Sequence, residues 1–170
     1  MTLRRPELGD VPALAVLGRA SFVAAFGHLY APADLAAFLA SVHDADALRT
    51  EIASPDSAFQ IAERDHRLVG HCKLKLVSGF EHQTGALRPM DLARLYCAPA
   101  ETGQGTGAAL MEWALSEARA HGSDELRLAV WSGNHGAQRF YARYGFEKIA
   151  DVDFWVGSHR DDEFLYSLKL

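Results

Sequence analysis

Residues 103–108 read Gly-Gln-Gly-Thr-Gly-Ala, and they limit the folds open to this chain more than any other stretch. They follow an apolar run, Leu92 to Cys97, and a break at Pro99; an amphipathic segment, Ala108 to Ala120, comes directly after. The order strand, glycine loop, helix leaves the first N–H groups of the helix without intrahelical partners, at the positive end of its dipole. Such a terminus is an anion site, and glycines let its backbone approach a phosphate with no side chain between. The bland alternative is a tight turn that needs glycine for its geometry alone, and the loop by itself leaves both readings open.

Gly103-x-Gly105-x-x-Ala108 satisfies the dinucleotide-fold pattern. That fold needs a further strand ending in an acidic residue about 20 positions on. Here Asp124 and Glu125 precede the next strand, Leu126 to Val130, and only 65 residues follow Gly105, too few for the rest of a doubly wound sheet. No Gly-Lys-Ser/Thr occurs, which removes the Walker loop.

The 170 residues suit one domain, 1–170, with a full core. No run reaches about 18 apolar residues, so no membrane span is expected. Met1-Thr2-Leu3-Arg4-Arg5-Pro6 lacks an apolar signal core, which points to a cytoplasmic protein. Cys72 and Cys97 lie in strand-like runs and read as buried thiols in a reducing compartment. The histidines (His28, His43, His66, His71, His82, His121, His135 and His159) form no His-Glu-x-x-His, and no Cys-x-x-Cys occurs, so no metal is expected. The absence of Gly-x-Ser-x-Gly opposes a serine hydrolase.

Charge is unevenly spread. Residues 31–63 hold Asp34, Asp44, Asp46, Glu51, Asp56 and Glu63 against Arg49 alone, which accounts for the whole formal charge of −5. No basic stripe exists to meet a nucleic acid. An acidic lobe beside a site would draw in a cationic substrate; otherwise it is a solvated helix face.

Thr2 to Arg4 reads as a first strand. Asp10 offers an N-cap to a helix with Pro12 in its first turn and a stripe of Val11, Leu14, Leu17, Ser21 and Phe22. Leu35, Phe38, Leu39 and Val42 form a second stripe, and a third helix spans about 45–53 before Ser54-Pro55. Phe59 to Glu63 and Leu68 to Val77 read as a hairpin, followed by a loop from Ser78 to Pro89. Asp91 to Ala98 is the fourth strand; the main helix from Gly105 to His121 would turn Leu110, Ala114, Leu115 and Ala118 to the sheet before Gly122. Leu126 to Val130, a helix from His135 to Tyr144, and a closing hairpin of Phe146 to Val156 and Glu163 to Leu168 complete one layered α/β domain.

Leu95-Tyr96-Cys97-x-Pro99, the glycine loop, and Asn134-x-x-Ala137-x-x-Phe140-Tyr141-x-x-x-Gly145-Phe146 stand in order and at matching spacing. In these blocks the chain resembles the GCN5-related N-acetyltransferase (GNAT) superfamily over residues 92–147. Thr102 departs from the superfamily's Arg or Gln at that loop position. The resemblance implies a single mixed, mostly antiparallel sheet of about six or seven strands, with helices on both faces and a splay between strands 4 and 5. It also implies acetyl transfer from acetyl-CoA to an amine, with no metal. The pyrophosphate would rest on the loop, Gly103, Gln104, Gly105, Thr106, Gly107 and Ala108. The pantetheine arm would lie along Leu95, Tyr96 and Cys97, with Asn134, Ala137 and Tyr141 beside it. Tyr141 matches the superfamily's general acid, against the alternative of a core aromatic; Asn134 is equally an N-cap. Asp91 stands near where some relatives place a base, although a strand-start surface residue fits it too.

The first half resembles bacterial PaiA-type polyamine acetyltransferases in Ser21-Phe22 through Phe26 and Tyr30, Asp34-Leu35, Phe38-Leu39, Ser54-Pro55-Asp56-Ser57 and Gly70-x-x-Lys73-Leu74, as does Phe154-x-x-Gly157 near the end. The acceptor that this implies is a small polyamine such as spermidine or spermine, with Phe26, Tyr30, His71 and Lys73 as pocket residues. Protein N-termini, amino acids or antibiotic amines are the alternative acceptors, and a non-catalytic CoA-binding regulatory module is the alternative from another class. A homodimer is an expectation taken from relatives.

Overall fold

The computed structural model describes residues 1–42 and 44–170; His43, one of the histidines considered for a metal, lies outside the described residues. The order is β1 (Thr2–Arg4), α1 (Val11–Phe26), α2 (Pro32–Val42), α3 (Ala45–Ala53), β2 (Ser57–Arg64), β3 (Arg67–Lys75), β4 (Pro89–Cys97), α4 (Thr106–Ala120), β5 (Glu125–Trp131), α5 (His135–Arg143), β6 (Glu147–Val156) and β7 (His159–Lys169). Local chemistry sets most boundaries. The Asp44 carboxylate accepts from the amides of Asp46 and Ala47 and starts α3. Asp65 and His66, at φ 50° and 60°, make the two-residue turn of the β2–β3 hairpin. Gly122 and Gly145 take positive φ just past α4 and α5. Asp10 does not cap α1 as expected; its carboxylate takes Arg4 at 2.7 and 2.8 Å and the Glu7 amide at 2.7 Å.

The strands form one sheet in the order β1-β2-β3-β4-β5-β7-β6. On one face Leu110, Met111, Ala114 and Ala118 of α4 pack on Leu74, Leu92, Leu126 and Leu128. Met111 is fully buried there, while the expected Leu115 is only partly covered. On the other face Val11 and Leu14 of α1 and Leu48 of α3 meet Ile61, and Phe22, Tyr30 and Val156 form a further cluster with Phe38 and Phe154.

Although no uninterrupted run of about 18 apolar residues occurs, the segment Leu8–Leu29 is apolar on average. It spans 22 residues and its most apolar 18-residue window has a mean hydropathy of 1.4, enough by length and composition to cross a membrane, because isolated polar residues interrupt the apolar run without lowering its average much. In this fold Val11, Leu14, Leu17 and Phe22 are buried among the other elements, as in the core helix of a packed domain.

Helix α2 has no fully buried residue, and its stripe of Leu35, Phe38 and Leu39 is half-buried. It is fastened at one end, where the Asp34 carboxylate accepts from the amide and hydroxyl of Ser158, each at 3.2 Å. Gly157, at φ +59°, lets the β6–β7 turn come this close, since a Cβ there would collide with Asp34.

All neighbouring strands are antiparallel except β4 and β5. Those two pair only at Pro89–Glu125, Met90–Leu126 and Asp91–Arg127. Beyond Asp91, β4 stays with β3 as far as Cys97, and β5 stays with β7 as far as the Trp131–Glu163 pair. The sheet therefore opens as a V.

One arm of the V is stitched to α3 by Glu51, whose carboxylate takes Lys73 Nζ at 2.6 Å and the Arg94 guanidinium at 2.6 and 3.0 Å. Burial opposes ionisation of Glu51, but Arg94 and Lys73 prevail and hold its carboxyl below the ordinary 4.5. A lowered carboxyl contributes stability that is present above the unfolded value and lost as pH falls through the folded one. Glu51→Gln should therefore cost about 2 kcal/mol at neutral pH, with the difference from wild type shrinking toward about pH 3. Urea denaturation at the two pH values reads this; a difference that does not change with pH would contradict it.

Candidate active site

Gly103 and Gly105 stand at φ +79° and +83°, with nothing near the place a Cβ would occupy. The backbone conformation, not crowding, demands glycine at both positions. The same turn leaves the start of α4 open, for Gly105 is its N-cap and no side chain caps it. The amides of Thr106, Gly107 and Ala108 thus open the helix, and the first intrahelical turn closes with Ala109 on the Gly105 carbonyl. Two of the loop residues are already partly engaged. The Gln104 amide is held by the Glu101 carbonyl at 3.1 Å and its side chain by the Ala100 carbonyl at 3.1 Å, so Gln104 closes the turn and leaves the cradle to its neighbours. Thr106 is buried with its hydroxyl donating to Glu101 at 3.0 Å, which leaves only its main chain for an anion.

The first turn of α4 abuts Cys97: a Cβ on Gly107 would lie 3.7 Å from its Sγ. From there a cavity of about 630 Å³ runs through the V to the opposite face, within the usual range of ligand sites. Leu95, Tyr96, Cys97, Asn134, Ala137 and Tyr141 line it. The β4 main chain at Leu95 and Cys97 lies past its last pairing with β5, so its β5-facing edge has no partner strand. Asn134 Oδ1 accepts from the Ala137 amide at 3.0 Å, so its capping role is real and coexists with its place on the wall. Tyr141 packs edge-on to Phe140 and Phe146, and burial holds its phenol well above the ordinary value. It is thus both a packed aromatic and a protonated donor at the cavity wall. Cys97 is pushed up to about 11 by burial, with Glu101 adding to the effect, and is no thiolate nucleophile.

Across the V lie Phe22, Phe26, Tyr30, Phe38 and Phe154. Phe26 meets Trp131 edge-on at 6.4 Å, and the Tyr30 hydroxyl donates to Asp161. Lys73 reaches the wall but is bound to Glu51. His71 does not line the cavity. It lies in register between Ile61 and Tyr96, its ring edge-on to Tyr96 at 5.4 Å in the layer beneath. Asp91 is not a surface residue: it is 3 % exposed at the apex of the V, where its carboxylate accepts from the Gly79 amide at 2.7 Å and burial raises its pKa.

The acidic lobe of residues 31–63 does not open into this cavity as a field. Asp34 holds Ser158, Asp44 caps α3, Asp46 takes Arg49, Glu51 takes Lys73 and Arg94, and Glu63 takes Arg4. Sequence reasoning missed Arg94, Trp131, Phe154 and Glu163 on the wall. Strand alternation places each on a face, but only the cross-strand register brings them together. Among the described residues no group of three His, Cys, Asp or Glu side chains is arranged to hold a metal ion.

The acetyltransferase (GNAT) family model matches residues 23–146. An uncharacterised N-acetyltransferase from the pepI 3′ region of Lactobacillus delbrueckii subsp. lactis is 30% identical over 161 residues, covering 95% of this chain and 92% of the relative. The solved PaiA N-acetyltransferase of Thermoplasma acidophilum, in complex with coenzyme A, superposes with a TM-score of 0.81 at 22% identity, over 99% of this chain and 98% of that one. The ribosomal-protein-S18-alanine N-acetyltransferase of Escherichia coli gives 0.72 at 17% identity, over 99% and 92%. The two structures share the fold. With an open helix terminus, an unpaired strand edge and a cavity that joins both faces, the chain belongs to the acetyltransferase (GNAT) family and is an acetyl-CoA-dependent N-acetyltransferase.

Proposed function

We propose that the acceptor is a small alkyl polyamine of the spermidine or spermine type. The observation that carries this reading is the aromatic wall across the V, where Phe22, Phe26, Tyr30 and Phe38 line the cavity together with Asp153 and Glu163 of the closing hairpin. Methylene chains pack on such rings while their ammonium groups meet the carboxylates. The fold likeness to a PaiA N-acetyltransferase agrees with it.

The residues take the following parts. The amides of Thr106, Gly107 and Ala108 hold the pyrophosphate at the start of α4. The open edge of β4 at Leu95 and Cys97 carries the pantetheine arm and brings the thioester to the V. A main-chain amide near Cys97 steadies the oxyanion. The amine enters from the α1–α2 side and must lose a proton, since a free alkylammonium has a pKa of about 10.4. A cavity carboxylate takes that proton, and the Tyr141 phenol protonates the leaving thiolate. A cytoplasmic location accords with this substrate and with free cysteines at 72 and 97.

Thiol release from acetyl-CoA should be fastest with spermidine or spermine and slow with a peptide panel. Activity confined to peptide N-termini would remove the polyamine assignment. Tyr141→Phe should lower turnover on the order of 10²-fold and leave CoA affinity in place; unchanged turnover would make Tyr141 a packing residue only.

A further inference from the structure

Four carboxylates line the cavity, Glu51, Asp91, Asp153 and Glu163, and three of them are engaged. Glu51 is bound by Lys73 and Arg94. Asp91 accepts from Gly79 at the apex, where β4 and β5 are still paired. Asp153 pairs with Arg160 at 3.3 Å. Glu163 has no side-chain hydrogen bond or ion pair to any described residue. It lies directly opposite Trp131 in the β5–β7 register, and directly paired residues share a face of the sheet. Trp131 meets Phe26 of α1 on that face, so Glu163 stands on the acceptor side of the V. The neighbouring groups leave it uncompensated. Asp161, on the same face of β7, is taken up by the Tyr30 hydroxyl and by His159 at 3.2 Å. Tyr30 and Tyr96 are held protonated by burial, and Arg94 points to Glu51.

We propose that Glu163 binds the ammonium of the acceptor and takes its proton, which makes it the base of the transfer. The proposal rests on the acetyl-transfer reading above. Burial first, and Asp161 second, push its carboxyl up to about 7, so that it is a stronger base than an ordinary glutamate and still half ionised near neutrality. The step balances. R–NH3⁺ gives one proton to Glu163, and the freed lone pair attacks the thioester carbonyl carbon. The C–N bond forms, the C–S bond breaks, and the thiolate takes the Tyr141 proton. The second proton of the new amide nitrogen restores Tyr141, and Glu163 returns its proton to solvent after the product leaves.

The test measures thiol release with spermidine across about pH 6–9, alongside calorimetry with CoA, for wild type, Glu163→Gln and Glu163→Asp. Glu163→Gln should lower kcat/KM on the order of 10²-fold and remove an acid limb centred near pH 7, while CoA binds as before. Glu163→Asp, which keeps the charge, should recover at least about fivefold over Glu163→Gln. A Glu163→Gln enzyme with wild-type kcat/KM and the same limb overturns the assignment, as does a Glu163→Asp enzyme no better than Glu163→Gln. Wild type that binds CoA but turns over no amine overturns the acetyl-transfer reading and this assignment with it.

Discussion

The site depends on the parting of β4 and β5 after three paired residues. Each strand stays paired on its other edge with a different neighbour, β4 with β3 and β5 with β7, while the two part from each other beyond Asp91. The gap leaves β4 at Leu95 and Cys97 without a partner strand on its β5-facing edge, where the Cys97 carbonyl accepts from the Ser21 hydroxyl at 3.1 Å, and it connects the two faces of the sheet. A wedge of this kind gives two reactants that approach from opposite faces one common point of contact. In the proposed arrangement the helix terminus beside Cys97 is where the anionic end of one reactant would bind. The other would enter past the aromatic layer of α1 and α2.

Charge in this molecule is mostly paired. The carboxylates of the first half hold caps, turns and cations, and Glu51 joins α3 to both strands of one arm. The cavity carboxylate without a partner among the described residues lies on the closing hairpin, where burial raises its basicity. A desolvated carboxylate in a narrow pocket discriminates better than a broad acidic surface, whose field salt would screen.

Much of the fold could be read from the chain because its signals are local. Asp44 and Ser54-Pro55 bracket α3, Asn134 and Gly145 bracket α5, and Gly103 and Gly105 take positive φ in the glycine loop. The cavity wall of Leu95, Tyr96, Cys97, Asn134, Ala137 and Tyr141 likewise falls in short contiguous motifs. The wall across the V does not. Glu163 meets Trp131 only through the β5–β7 register, and Arg94 meets Glu51 only through α3 crossing the sheet. Lys73 and His71 share a strand face, yet only Lys73 reaches the cavity, because His71 lies against Tyr96 deeper in the layer. The buried position of Asp91 depends on the loop that brings the Gly79 amide to it, and no periodic pattern marks that contact.

The central claim is that coenzyme A occupies the V, with its phosphates at the start of α4. Amide chemical-shift mapping of the ¹⁵N-labelled protein during titration with CoA tests this most directly. The account predicts the largest changes at Thr106, Gly107 and Ala108, with a second set along Leu95–Cys97 and around Asn134. Changes confined to other surfaces, or none at saturating CoA, would contradict it.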